Sequence, residues 1–99
     1  VMTRLQDSYA LPLRLSELAA EAGVHEVYLA ASFRARMGCT VGEYLRHLRL
    51  EAALQRICTS SDDLATIAAA TGFHDQAHLT RLFRAHVGMT PGAFRKSLP

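Results

Sequence analysis

A stretch of about thirty residues occurs twice in this chain, so whatever it folds into has to be two copies of one small structure. Residues 18–46 read LAAEAGVHEVYLAASFRARMGCTVGEYLR, and residues 67–96 read IAAATGFHDQAHLTRLFRAHVGMTPGAFRK. A shift of 49 aligns the first nine positions and a shift of 50 the rest, one residue being gained after Asp75. The aligned identities are Ala19/Ala68, Ala20/Ala69, Gly23/Gly72, His25/His74, Leu29/Leu79, Phe33/Phe83, Arg34/Arg84, Ala35/Ala85, Gly38/Gly88, Thr40/Thr90 and Gly42/Gly92. Glycines held in such register mark matching turns.

With 99 residues for two units, each unit alone would bury too little surface, so the two are expected to lean on each other. No strand-like alternation is present, and the three prolines and six glycines fall almost wholly where helices should stop. The expected fold is therefore all-α: two helix-turn-helix units joined by a long connecting helix, about seven helices in total. The expected division is 1–40 for the first unit, 41–58 for the connecting helix and 59–99 for the second unit, making one domain overall.

Local signals place the elements. Residues 2–9 form a short first helix, separated by Pro12 from a small-residue helix at 15–22. Gly23 ends the latter because a residue without a β-carbon enters the left-handed conformation freely. His25 or Glu26 starts the third helix, which runs to Met37 and stops at Gly38. Thr40-Val41-Gly42-Glu43 matches a capping box and opens the connecting helix, which runs to about Cys58 on Tyr44, Leu45, Leu48, Ala52 and Ile57. After the polar loop Thr59-Ser60-Ser61-Asp62, Asp63 caps a helix over 64–70, and Gly72 turns the chain into a helix over 75–87. Thr90-Pro91 caps and begins a last short helix through Lys96.

Within each unit, Ala19 and Ala68 allow the two helices to cross closely, and Gly23 and Gly72 allow the sharp turn. Val24 and Phe73, directly after the glycines, are expected to plug the space between the helices. Leu29 with Phe33, and Leu79 with Phe83, lie four apart and dock the second helix inward. The opposite face of the second unit's helix carries Gln76, His78, Thr80, Arg81 and Arg84, which donate and accept hydrogen bonds.

The net charge of +2 is too small to indicate a polyanionic partner by itself, but its distribution is uneven. From Val27 to Arg49, Arg34, Arg36, Arg46 and Arg49 face Glu43 alone; from Gln76 to Pro99, Arg81, Arg84, Arg95 and Lys96 face no acid. Glu17, Glu21, Glu51, Asp62 and Asp63 collect elsewhere. The segments after both glycine turns are thus basic, as in a protein that presents one face to phosphates.

Other chemistries find no support. His74 and His78 are four apart, yet only Asp75 is near enough in sequence to join them in a metal set, so no metal is expected. No nucleophile with a base, paired carboxylates or phosphate-cradling glycine loop stands at a usable spacing, so neither an enzyme nor a cofactor is expected. Cys39 and Cys58 are too far apart for a CxxC site and read as buried thiols in a reducing interior. No apolar run is long enough to span a membrane and no secretory signal is visible, so a soluble, cytoplasmic protein is expected.

At this point the residues carry a family resemblance. IAAATGFHDQAHLTRLFRAHVGMTPGAFR, LAAEAGVHEVYLAASFRARMG and the linking YLRHLRLEAAL resemble the DNA-binding domain of the AraC/XylS family of bacterial transcription regulators, over essentially the whole chain. The resemblance implies sequence-specific binding to double-stranded promoter DNA, with both recognition helices entering successive major-groove segments, which recur about every 34 Å. Carried over position by position, it implies base contacts by Gln76, Ala77, His78, Thr80 and Arg81 in the second unit and by Val27, Ala30 and Ala31 in the first. The first unit departs from the family pattern, since valine and alanines offer only apolar contact, for example with thymine methyls. Phosphate contacts are expected from Arg34, Arg84, Arg46 and Lys96 and from the helix starts at Thr40 and Thr90. The resemblance further implies an effector-binding or dimerisation domain on the N-terminal side, contact with RNA polymerase during activation, and association with the nucleoid when bound. The alternative is a helix-turn-helix module that binds protein without specific DNA readout, which an apolar first recognition helix would suit.

Overall fold

A computed structural model describes all 99 residues, Val1 to Pro99. The chain is entirely helical: α1 (Met2–Ser8), α2 (Leu15–Ala22), α3 (Glu26–Met37), α4 (Val41–Thr59), α5 (Leu64–Ala70), α6 (Gln76–Val87) and α7 (Pro91–Ser97). The seven helices of the all-α expectation are present, with boundaries displaced by a residue or so. They gather into two compact units, Val1–Leu48 and Arg49–Pro99, so that α4 contributes its first part to one unit and its second part to the other.

The helix ends form where short-range chemistry predicts. Thr40 and Glu43 make the reciprocal capping box: the Thr40 N–H donates to Glu43 Oε1 at 3.0 Å, and the Glu43 N–H donates to Thr40 Oγ1 at 3.1 Å. Asp63 Oδ1 accepts from the Thr66 N–H at 2.7 Å, and Thr90 Oγ1 accepts from the Ala93 N–H at 3.1 Å. At the end of α2, the N–H groups of Gly23 and Val24 reach back to the carbonyls of Ala20 and Ala19, a Schellman closure with Gly23 at φ +72°. A β-carbon on Gly23 would meet nothing within 4 Å, so glycine is required here by its positive φ and not by crowding.

In the first unit, α1, α2, α3 and the start of α4 bury Leu5, Leu18, Ala19, Leu29, Phe33, Val41 and Leu45 together. In the second, the later part of α4 joins α5 and α6 to bury Leu50, Ala53, Ile57, Ile67, Ala68, Phe73, Leu79 and Phe83. An edge-to-face ring pair recurs at the same register in both: Phe33 with Tyr44 at 5.8 Å between centroids, and Phe83 with Phe94 at 5.7 Å. Each pair ties the second helix of the motif to the helix that follows it.

Three expectations need correction. Phe73 is buried in its core, but Val24 remains 36% exposed and takes no part in the first unit's core. The extra residue of the second repeat lies in the turn and not after Asp75. Both α3 and α6 have twelve residues, and their N-caps, His25 and Asp75, match at a shift of 50, so the second turn is longer by one residue, Phe73-His74 against Val24. Cys58 is exposed and Cys39 only half-buried; Cys58 follows the buried Ile57 on α4, about 100° around the helix from it.

Candidate DNA interface

Leu29 and Phe33 anchor α3, and Leu79 and Phe83 anchor α6, each pair spaced to fall on one face. At about 100° per residue, Val27 and Ala31 on α3 and Ala77 and Arg81 on α6 are turned well away from these anchors, with Arg34 and Arg84 about 120° from them. All six are exposed, Val27 by 69%. Ala30 on α3, and His78 and Thr80 on α6, flank these faces and are half-buried, while Gln76 stands exposed at the start of α6. Arg46 and Lys96, also paired at a shift of 50, are exposed on α4 and α7. Each unit therefore carries expected contact residues on its second motif helix, with a further cation on the helix that follows.

The start of α6 is built more elaborately than that of α3. In the first unit, His25 caps the helix itself, its Nδ1 accepting from the Val27 N–H at 3.1 Å. In the second, Asp75 does so: Oδ1 accepts from the His78 N–H at 2.8 Å, and Oδ2 lies 3.3 Å from His74 Nδ1. The His74 N–H in turn donates to His78 Nδ1 at 3.3 Å, and the His78 ring packs edge-to-face on Phe73 with centroids 5.5 Å apart. The backbone hydrogen bond from His78, then that from the His74 side chain, hold the Asp75 carboxyl below its usual range.

The two helix starts expected to meet phosphate are unlike each other. At Thr40 the N–H is already taken by Glu43, whose carboxyl is held low chiefly by that bond and then by the Thr40 hydroxyl, with Arg34 and Arg46 adding to the effect. At Thr90, Pro91 occupies the first helical position and no acid stands in the first turn.

Two side chains take places that local pattern does not reveal. Tyr28 is 64% exposed on α3 at the position equivalent to His78, and its hydroxyl gives that helix a hydrogen-bonding group that the alanines lack. Arg95, counted with the basic segment, turns away from the interface: its guanidinium donates to the backbone carbonyls of Asp62 and Ser60, bracing the loop between α4 and α5. Arg56 pairs with Asp62 at 3.8 Å, in keeping with a structural role.

The first unit has one further surface. Leu13, Leu15, Val27, Ala30, Val41 and Leu45, with Arg34 among the other lining residues, border an open, largely apolar groove of about 680 Å³ beside α3. No group of three His, Cys, Asp or Glu side chains is placed to hold a metal ion, and no helix is long and apolar enough to cross a membrane.

A pair of helix-turn-helix units, each with an exposed second helix carrying repeated arginines, defines a class of nucleic-acid-binding proteins. A family model described as a helix-turn-helix domain matches residues 18–97. The chain is 33% identical over 85 residues to the probable transcription factor PqrA of Proteus vulgaris, covering 86% of this chain and 70% of PqrA. It is 35% identical over 91 residues to the transcriptional activator NphR of a Rhodococcus species, covering 92% of this chain but only 27% of NphR. Among solved structures, the DNA-binding domain of the global transcriptional factor AdpA, determined in complex with a target DNA, superposes with a TM-score of 0.87 at 24% identity, over 97% of this chain and 86% of that one, and shows the same fold. The chain belongs to the AraC-type family of helix-turn-helix transcription regulators.

Proposed function

We propose that this domain regulates transcription by binding a specific double-stranded DNA sequence, α3 and α6 entering successive major-groove segments. The observation that carries this reading is the exposed face of α6, where Gln76, Ala77, Arg81 and Arg84 stand over a helix docked from behind by Leu79 and Phe83. Arg81 and Gln76 have the donor and acceptor sets that read guanine and adenine edges, with His78 and Thr80 beside them and Ala77 allowing close approach. In the first unit, Val27, Ala30 and Ala31 make apolar contacts, and Tyr28 supplies the polar one. Arg34, Arg84, Arg46 and Lys96, with the start of α7 at Thr90, grip phosphates and set the register. The Thr40 end contributes through Arg34 and Arg46 around it.

Selection from a random duplex pool at near-physiological salt tests the reading, since those conditions suppress nonspecific phosphate attraction. The expected result is two enriched boxes about one helical turn apart, the sharper one lost in Arg81→Ala. Absence of any enrichment would sink it. Because two recognition helices reside in one chain, the site is expected to be asymmetric and bound by a monomer. The companion effector or dimerisation domain, the contact with RNA polymerase and action on the bacterial nucleoid in the cytoplasm belong to this proposal too.

The apolar groove beside α3 favours a second reading, in which the domain docks a protein without reading sequence. Steep loss of DNA affinity with salt separates the two, because counterion release accompanies phosphate binding and not apolar docking.

A further inference from the structure

The hydrogen bonds around the start of α6 determine more than the position of His78. A main-chain N–H can only donate, so the 3.3 Å bond from His74 N–H to His78 Nδ1 requires a lone pair on Nδ1. The neutral ring then carries its proton on Nε2, which no protein group meets. The arrangement is secured on every side. Asp75 Oδ1 takes the His78 N–H, Oδ2 lies against His74 Nδ1, and Phe73 supports the ring face. The first unit has no counterpart, because its shorter turn has no residue in the place of His74 and its helix has Tyr28 in the place of His78.

We infer that His78 is an obligate hydrogen-bond donor toward DNA, its tautomer set by the main chain of His74, and that it reads the acceptor edge of one guanine. This rests on the proposal that α6 lies in the major groove. The step from donor to base is one of complementarity. Guanine presents two neighbouring acceptors, N7 and O6, so a single N–H finds a partner across a range of approach. Adenine sets an amino group beside N7, thymine a methyl beside O4, and cytosine offers a donor. A ring that only donates therefore favours guanine and rejects cytosine most strongly. Arg81 reads its own base with two donors; His78 adds a second, independently readable position.

Two measurements test the inference on the 99-residue chain. Long-range proton–nitrogen NMR of the free protein should show His78 protonated at Nε2 and bare at Nδ1; the reverse tautomer overturns it. On the selected DNA site, one guanine should lose about tenfold in affinity when replaced by 7-deazaguanine, the size of a single hydrogen bond to a base edge. That penalty should vanish in His78→Leu, which retains an apolar contact with Phe73. In His78→Gln, whose amide both donates and accepts, the preferred base should move from guanine to adenine. If a site is selected and Arg81→Ala weakens it, but neither 7-deazaguanine nor exchange of any guanine for another base carries a penalty that depends on His78, the inference falls while the DNA-binding reading stands. If no site is selected, both fall together.

Discussion

The two units share a plan and divide its use. Both close α2 or α5 with a glycine, dock the next helix through leucine and phenylalanine four apart, and lock it to the following helix with an edge-to-face ring pair. On the outward side they differ. Ala77, Arg81 and Arg84 on α6 answer to Val27, Ala31 and Arg34 on α3, so the arginine proposed to grip phosphate is kept in both, while the one proposed to read a base has an alanine as its partner. The difference teaches that docking and surface chemistry are separable in this fold: the inward anchors suffice to present a helix, and the outward positions are free to differ between the units.

The largest way to break the comparison is through the cores. Phe73→Ala should cost about 3–5 kcal/mol in urea unfolding, as a buried phenylalanine does, whereas Val24→Ala at the matching turn position should stay within about 0.5 kcal/mol. Equal losses would mean that Val24 plugs its unit after all. Next comes the readout. Arg81→Ala should cost about 1–3 kcal/mol of specific affinity and relax one base position, and Ala31→Arg should sharpen the box read by α3. A uniform loss on every sequence for Arg81→Ala would make that residue a phosphate contact.

The repeated arginines should instead behave alike. Arg34→Gln and Arg84→Gln are each expected to reduce the slope of log affinity against log salt by about one, with little change in the preferred sequence. If only one slope moves, the units do not grip the backbone equivalently.

The smallest effect concerns acid. Asp75 caps α6 as a carboxylate held below its usual range, principally by the His78 N–H, whereas α3 is capped by His25. A depressed carboxyl contributes stability that is present above its unfolded pKa, about 3.9, and is lost as pH falls through its lower folded value. Urea midpoints followed downward from pH 5 should therefore decline through this group, and Asp75→Asn should flatten that part of the profile. Asp63 and Glu43, held low by the N–H groups of Thr66 and Thr40, will leave a residual slope of the same sign.

Much of this was legible before any coordinates. Gly23, Gly38, Thr40, Asp63 and Thr90 announced helix ends because caps depend on neighbours within a few residues, and each is found at one. The anchors Leu29, Phe33, Leu79 and Phe83 were visible because the helical period brings them to one face, and all four are buried. The interface was less legible. Tyr28 aligns with His78 in the repeat, but an aromatic on a helix is equally compatible with core, and only the fold shows it 64% exposed. Arg95 looked like one more surface cation, and only the fold brings the carbonyls of Ser60 and Asp62 to it across more than thirty residues.

By itself, then, the sequence determined the number of helices, their ends, their inward faces and the twofold plan, all of which follow from contacts a turn or two apart. Tertiary structure decided what depends on available space and distant partners. Phe73 enters its core while Val24 stays outside, although each directly follows its turn glycine. His74 occupies the longer turn, and Asp75 takes over the cap that His25 holds in the first unit. That one extra residue, whose consequence no local propensity reveals, puts a main-chain donor against His78 and makes the second helix start a different instrument from the first.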